Sequence, residues 1–94
     1  MKLVGRPVLD EFGRQHANVR KQMAAWVAEV EAAEWQTPQD IKTRFIRASF
    51  LSDNRVIFNI KGNEYRLDVK VSYKSQTVLV KRIGTHDEYD KWEF

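Results

Sequence analysis

Apolar side chains in the first half of the chain recur at helical spacing. One series follows the steps i, i+4, i+7, i+8 and i+11, which traces one face of an α-helix. The series consists of Val19, Met23, Trp26, Val27 and Val30. We interpret its methionine and tryptophan as core residues rather than as a cofactor site. The pattern predicts an amphipathic helix here, with Asn18 as the residue that caps its start.

Shorter elements are predicted on either side of this helix. Residues 1–4 form a short apolar start that suits an edge strand. Pro7 suits the first turn of a helix, which we expect to end near Gly13. Thr37, followed by a proline and then by Asp40, matches a capping box and predicts a short third helix.

From residue 54 the apolar period changes from helical to two, which is typical of strands. Strands are predicted at 55–60, 64–73 and 77–83, with turns between them. In the middle strand, one side carries Tyr65, Leu67, Val69, Val71 and Tyr73. The other side carries Glu64, Arg66, Asp68, Lys70 and Ser72. Residues 45–53 fit either a loop or a short strand, and residues 87–94 fit a short helix or turn that begins at Asp87.

This order of elements predicts an α+β fold in one domain, residues 1–94. An N-terminal strand and helices would pack on one face of a small, mainly antiparallel sheet, and a short C-terminal helix would follow. The other face of the sheet is expected to be open to solvent. We expect it to carry Arg66, Lys70 and Lys81.

Positive charge is concentrated on the predicted strands. Residues 42–82 carry ten Lys or Arg against three Asp or Glu, whereas residues 1–41 have a net charge of −1 and residues 83–94 of −3. A concentrated basic stretch suits a phosphate-binding surface. The alternative is a set of solvated strand edges, since lysine also protects edges from aggregation.

The remaining composition excludes several classes of protein. There is no cysteine, so disulfides and thiolate metal sites are excluded and a reducing compartment, the cytoplasm, is expected. The start does not resemble a signal peptide, and we expect no association with a membrane. No Gly-rich phosphate loop or nucleophile elbow is present, and His16 and His86 match no metal-ligand spacing. We therefore expect neither a metal nor a cofactor.

The residues at the end of the last strand suit RNA cleavage without a metal. Such cleavage needs a base for the 2′-hydroxyl, an acid for the leaving 5′-oxygen, and fixed cations for the phosphate. Arginine binds phosphate oxygens in pairs, histidine transfers protons near neutral pH, and tyrosine can stack on a base. Arg66, His86 and Tyr89 supply these types, although each also has an ordinary structural role as a solvated charge, a turn residue or a packed ring. The residues alone indicate an RNA-facing basic module.

Two segments resemble the HigB family of toxins, which is related to the RelE superfamily. They are Gly62-Asn63-Glu64-Tyr65-Arg66-Leu67 and Gly84-Thr85-His86-Asp87-Glu88-Tyr89-Asp90-Lys91. The resemblance runs from about residue 54 to residue 92. It implies the toxic half of a bacterial toxin–antitoxin module, an mRNA interferase that cuts mRNA in the ribosomal A site without a metal. It also implies a RelE-like fold and a HigA-like helix-turn-helix antitoxin as partner.

The resemblance also implies roles for individual residues. Arg66 and Lys81 would hold the phosphate, His86 would transfer protons, and Tyr89 would stack on a base or orient it. Lysine stands at position 81 where related sequences often have arginine, which removes the bidentate fork. Alternatively, His86 could be structural and hold the strand-to-helix corner through Asp90. We further expect RNA contacts from Asn63, Lys70, Lys74 and Arg82.

Two other functions remain open from the sequence. A non-catalytic RNA- or ribosome-binding module would use the same cations but would not need His86. A structural interaction domain would use a sheet edge for a partner strand. The basic stretch argues against the interaction domain, and the two motif segments favour the nuclease.

Overall fold

The computed structural model describes residues 1–94 and contains five strands and four helices. The strands are β1 (Lys2–Val4), β2 (Ser49–Phe50), β3 (Arg55–Ile60), β4 (Tyr65–Ser72) and β5 (Thr77–Thr85). The helices are α1 (Arg6–Gln15), α2 (Arg20–Ala32), α3 (Pro38–Arg44) and α4 (His86–Tyr89). A 3-10 turn, Ala17–Val19, precedes α2.

All five strands join one sheet in the order β1-β5-β4-β3-β2. Strands β2 to β5 form an antiparallel meander, and β1 lies parallel to β5 at one edge. The predicted α+β fold with a mainly antiparallel sheet is confirmed. The stretch 45–53, which fitted a loop or a strand, contains the two-residue edge strand β2.

The core lies between the helices and one face of this sheet. All five residues of the predicted α2 stripe are buried. The Trp26 ring packs edge-on against Phe58 of β3, with ring centroids 5.4 Å apart. Leu67 and Val69 of β4 are fully buried in the same cluster. The face that alternation assigned to the core is therefore the face that the helices cover.

The predicted cap of α2 is wrong. Asn18 lies in the 3-10 turn, and the start of α2 has no side-chain cap. The Asn18 Oδ1 instead accepts a hydrogen bond of 3.1 Å from the Tyr65 hydroxyl. The Tyr65 ring is in the core, and a buried tyrosine hydroxyl needs a partner. Asn18 therefore satisfies a strand residue rather than a helix end.

The predicted end of α1 near Gly13 is also wrong, because the helix continues to Gln15. A Cβ atom on Gly13 would lie 3.2 Å from the Met23 Cε and 3.3 Å from the Arg20 Cγ. The Arg20 Nε also donates to the Gly13 carbonyl at 2.7 Å. This glycine allows α1 and α2 to approach closely; it does not end the helix.

One residue interrupts the pairing of β4 with β5. Asp68 pairs with Arg82 and Val69 pairs with Val80, so Lys81 is an extra residue in a β-bulge. Because of the bulge, Arg82 stands opposite Asp68, and Ile83 packs against the core. An uninterrupted alternation would place Ile83 on the opposite face.

The expectation that the second sheet face is open is wrong. Asp68 is fully buried there, Ile57 is 1% exposed and Arg66 is 8% exposed. Helix α4 and the residues after it cover this face, with Tyr89 and Trp92 packed against arginine side chains of the sheet. The C-terminal segment packs on this face and so buries its polar residues. Period-two alternation gives the same pattern whether a polar row is buried in this way or exposed to solvent.

The longest helix, α2, has 13 residues, and no helix combines the length and the apolar character that crossing a bilayer requires.

The capping box of α3 provides a test of the fold. The Thr37 hydroxyl accepts from the Asp40 backbone N–H, and the Asp40 carboxylate accepts from the Thr37 backbone N–H. Thr37→Ala removes one half of this box, so we expect a loss of about 1 kcal/mol in the free energy of unfolding, measured with urea. Thr43→Ala is the control, because this exposed threonine lies in the same helix without capping it. Equal losses in the two variants would contradict the capping role.

Candidate nucleic-acid interface

A capping box at the end of β5 sets the start of α4. The Thr85 Oγ1 accepts from the Glu88 backbone N–H at 3.2 Å, and the Glu88 Oε1 accepts from the Thr85 backbone N–H at 2.9 Å. The helix therefore begins at His86, one residue before the expected start at Asp87. The T-x-x-E spacing was the signal in the sequence that could have located this start.

His86 is exposed and lies beside the hairpin turn between β3 and β4. Its backbone N–H donates to the Glu64 carbonyl at 3.1 Å. Its Nδ1 lies 3.2 Å from the Asp90 Oδ2, one helical turn away. A carboxylate at Nδ1 favours the tautomer that leaves Nε2 free to accept a proton. The same contact also fits the alternative in which His86 only holds the corner.

Arg66 lies next to this corner but is not freely exposed. In the sheet register it pairs with Gly84, two residues before His86. Its Nη1 donates to the Asn63 carbonyl at 2.9 Å and to the Tyr65 carbonyl at 3.3 Å, while its Nη2 lies 3.4 Å from the Asn63 Oδ1. These bonds fix the guanidinium group.

Asn63 and Tyr89 complete this end of the sheet. The exposed Asn63 holds Arg66 and also accepts from the Asn59 Nδ2 at 3.4 Å. The Tyr89 ring is half-buried, with its centroid 5.5 Å from the Arg66 guanidinium carbon. The structure therefore brings Asn63, Arg66, His86 and Tyr89 together. We call these four residues the motif cluster.

A second group of charges lies next to the motif cluster on the same face. The Asp68 carboxylate accepts two hydrogen bonds from Arg55, one of them 2.9 Å from Nε to Oδ1, and one of 3.0 Å from the Arg82 Nε. The hydrogen bonds that Arg55 donates to Asp68 raise the pKa of Arg55 above its ordinary value, against the opposing effect of burial. We call Arg55, Asp68 and Arg82 the arginine–aspartate cluster.

Two aromatic rings cover this cluster. The Arg82 guanidinium carbon lies 4.3 Å from the Trp92 ring centroid and 5.0 Å from that of Phe94. Gly84 allows the Trp92 ring to pack closely on β5, because a Cβ atom at position 84 would lie 2.9 Å from the Trp92 Cζ2. The rings thus fasten the C-terminal segment to β5 through cation–π contacts.

The other expected RNA contacts are more dispersed. Lys81 is exposed at the bulge and makes no ion pair. Lys70 lies on the same face, and its Nζ is 3.0 Å from the Asp53 Oδ2. Strand β4 ends at Ser72, six residues beyond Arg66, which is about 20 Å along the strand. Lys74 lies in the turn that follows. The structure does not bring Lys74 to the motif cluster.

The chain matches known proteins along most of its length. Residues 19–92 match the family model described as HigB_toxin, RelE-like toxic component of a toxin-antitoxin system. The chain belongs to this toxin family. It is 24% identical over 92 residues to the mRNA interferase toxin HigB of Escherichia coli (strain K12), covering 96% of this chain and 88% of that protein. The mRNA interferase HigB of Shigella flexneri has the same identity and coverage.

The match includes α2, the whole meander and α4. Both segments on which the family resemblance was based lie within it, and both contribute to the motif cluster. The sequence did not identify Arg55 and Phe94 as parts of a cluster on this toxin's second face, and it gave Asp68 no partner there. Alternation placed Asp68 beside Arg66, but nothing in the sequence marked the bulge that brings Arg82 opposite it.

The toxin's motif cluster is a surface rather than a pocket. The three main grooves of the molecule are lined by residues of α1, α2, the 45–48 loop and β3, and none includes Arg66, His86 or Tyr89. His86, Asp87 and Asp90 place their ligand atoms within 4.8 Å of one another, a spacing that could admit a metal ion. All three residues are exposed. Carboxylates in the first turn of a helix are also common without a metal, because they interact favourably with the positive end of the helix dipole.

The packing of Trp92 on Gly84 provides a test of how the second sheet face is covered in this toxin. Gly84→Ala would push a methyl group into the Trp92 ring, so we expect it to lower the free energy of unfolding by about 1–3 kcal/mol in urea. In a Trp92→Ala background the same substitution should cost less, because the closest contact is gone and the nearest remaining one is the Glu88 Cβ at 3.2 Å. An equal cost in both backgrounds would contradict the packing of Trp92 on Gly84.

Proposed function

We propose that this toxin is an endoribonuclease that cleaves translated mRNA and thereby stops translation and growth. The observation that carries the proposal is the register of β4 and β5, in which Arg66 pairs with Gly84 and so lies two residues from His86. A fixed cation and a titratable imidazole at one sheet end are the groups that metal-free RNA cleavage needs. The relatives named mRNA interferase support the same reaction.

In the proposed reaction, the 2′-hydroxyl of a nucleotide attacks its own 3′-phosphate. His86 Nε2 takes the hydroxyl proton, the new 2′-oxygen–phosphorus bond forms, and the bond from phosphorus to the next 5′-oxygen breaks. That oxygen takes a proton from a water molecule at the exposed site, and the His86 imidazolium later returns its own proton to solvent. The products are a 2′,3′-cyclic phosphate and a 5′-hydroxyl. Asp90 orients the imidazole through its contact with Nδ1.

The proposed cations act on the phosphate. Arg66 is held by three acceptors of the β3–β4 turn and strand, so its guanidinium is fixed before substrate arrives. Its Nε has no partner in the protein and is the donor that we assign to the phosphate. Lys81, exposed at the bulge, adds a second charge, and Tyr89 stacks on a base. Preorganised donors stabilise the growing charge without further rearrangement.

The ribosome is the proposed place of cleavage. Two of the four residues of the motif cluster, Asn63 and His86, are exposed to solvent. Electrostatic catalysis is strongest where water is excluded, so a partner that encloses the mRNA and holds the scissile phosphate in line would complete the site. Translating ribosomes in the bacterial cytoplasm provide such an enclosure.

The remaining parts of the proposal follow from the toxin family. A toxin requires an inhibitor, and we propose a HigA-like helix-turn-helix antitoxin as its partner. No metal or cofactor takes part in the proposed reaction, because a histidine side chain supplies the base and arginine and lysine side chains supply the positive charge. The chain acts as one domain, residues 1–94.

Induced expression in bacteria tests this function. Wild type should stop growth and leave new 5′ ends within translated codons, read by primer extension on a reporter mRNA. His86→Gln should lower the cleavage rate by at least about 100-fold, since a general acid or base contributes 10²–10⁴-fold. Arg66→Ala should lower it similarly, because the fixed cation is lost.

Matched substitutions keep this test specific. His16→Gln removes the other histidine, which packs on the core residues Phe12 and Tyr65 and makes no hydrogen bond to the motif cluster, so it should not affect cleavage. Arg14→Ala removes an exposed arginine on α1. Intact mRNA in cells that contain folded wild type would contradict the nuclease proposal.

A non-catalytic RNA- or ribosome-binding module is the second candidate. The observation in its favour is that Arg66 is 8% exposed and makes its hydrogen bonds within the protein. Under this alternative, wild type would bind ribosomes and slow translation without new 5′ ends, and His86→Gln would behave as wild type.

A further inference from the structure

The arginine–aspartate cluster has more positive charge than its structural role requires. One carboxylate, Asp68, serves two guanidinium groups, so the cluster keeps a net charge of +1. Asp68 is already satisfied by two hydrogen bonds from Arg55. A second arginine is therefore not needed to compensate the buried carboxylate.

Arg82 is the member of this cluster that faces outward. Its side chain is 35% exposed, whereas that of Arg55 is 20% exposed. Asp68 engages its Nε, and its Nη2 makes only a long contact of 3.4 Å with the Glu93 carbonyl. The Nη1 group has no partner in the protein. The Arg82 guanidinium is therefore anchored at Nε, with Nη1 unpaired and Nη2 only weakly engaged, and its outer nitrogens can donate to an anion.

An exposed aromatic ring lies beside the Arg82 guanidinium. Phe94 is 62% exposed, so its ring is accessible to a ligand. Its ring centroid lies 5.0 Å from the Arg82 guanidinium carbon and 5.6 Å from that of Arg55. Aromatic rings next to cations are how proteins hold single-stranded nucleic acid, with bases stacked on rings and phosphates on arginines.

The spacing relates the Arg82 guanidinium to the motif cluster. Arg66 and Asp68 are two residues apart on the same face of β4, and Arg82 stands opposite Asp68. Two residues of an antiparallel strand span about 7 Å. That separation is comparable to the distance between successive phosphates of an extended RNA strand.

We propose that Arg82 and Phe94 form a second nucleotide subsite. Arg82 binds the RNA phosphate adjacent to the scissile one, and Phe94 stacks on the base of that nucleotide. Asp68 is a positioning residue, because it holds Arg82 without touching the RNA. The inference rests on the proposed function, since it takes the motif cluster as the place of cleavage.

The test uses ribosomes programmed with short synthetic mRNAs. Each mRNA carries one neutral methylphosphonate linkage, placed next to the scissile phosphate on either side or farther away. Wild type should lose about tenfold in cleavage rate at one adjacent linkage, the loss expected for one charge-assisted hydrogen bond. Arg82→Ala should lose about tenfold on the unmodified mRNA and show no further loss with that neutral linkage.

Matched variants separate this contact from a folding effect. Arg82→Ala leaves Asp68 bonded to Arg55, so the variant is expected to fold, which thermal unfolding checks. Arg82→Lys keeps the charge without the fork and should show a partial loss. Arg14→Ala is the control, and it should respond to the neutral linkage as wild type does.

A binding measurement keeps the subsite and the nuclease distinguishable. The same RNAs with a 2′-deoxy nucleotide at the cleavage position cannot be cut, and their binding to the toxin–ribosome complex reports the contact alone. Coupling between Arg82 and one linkage in binding, without cleavage of the ordinary mRNA, would retain the subsite and overturn the nuclease. Independent losses at every linkage would overturn the subsite and leave Arg82 as a clamp for the C-terminal segment.

Discussion

The second face of this toxin depends on one buried carboxylate. Asp68 has no exposure, and the arginines around it hold their positions because they share its two oxygens. A buried charge without partners would be strongly destabilising, so the sheet must bring cations to this point. Arg55 on β3 meets this need, and the bulge at Lys81 adds a second cation by placing Arg82 opposite Asp68. The aromatic residues of the C-terminal segment then pack on the guanidinium groups.

In this arrangement, different types of interaction stabilise the two faces of the sheet. The helix-covered face is held by apolar burial, with α2 packed on β3 and β4. The other face is held by ion pairs, hydrogen bonds and cation–π contacts, which are directional and depend on individual side chains. Apolar burial tolerates exchange of similar side chains, whereas a charged cluster does not. We therefore expect substitutions to be more specific in their effects on the face that carries the proposed site.

The helical and strand patterns predicted the fold well because both report burial on one side. The α2 stripe, the α3 capping box and the limits of β3 are all confirmed. The errors arose where a residue serves a distant partner. Asn18 bonds to Tyr65 across 47 positions of sequence, and Gly13 seats side chains of α2. No local pattern records such contacts.

The site was predictable to a different extent. Arg66, His86 and Tyr89 followed from the family resemblance, and the structure brings them together, while their catalytic roles stay predictions. The covering of the second sheet face was not predictable. The alternation of polar and apolar residues is the same whether the polar side chains contact water or an aromatic segment. Arg55 and Phe94 had no motif to mark them, and their significance depends on Asp68.

The bulge has a consequence for how this protein tolerates changes in length. Lys81 is the one position of β5 with no residue opposite it on β4. Deleting it would restore a regular alternation, with Arg82 and Ile83 still on their present faces. The hydrophobic core therefore does not require Lys81. The bulge does increase local twist, which sets the direction in which β5 delivers α4. Insertion or deletion of a residue at Lys81 would thus change the direction in which His86 points and leave the packing of the core unchanged.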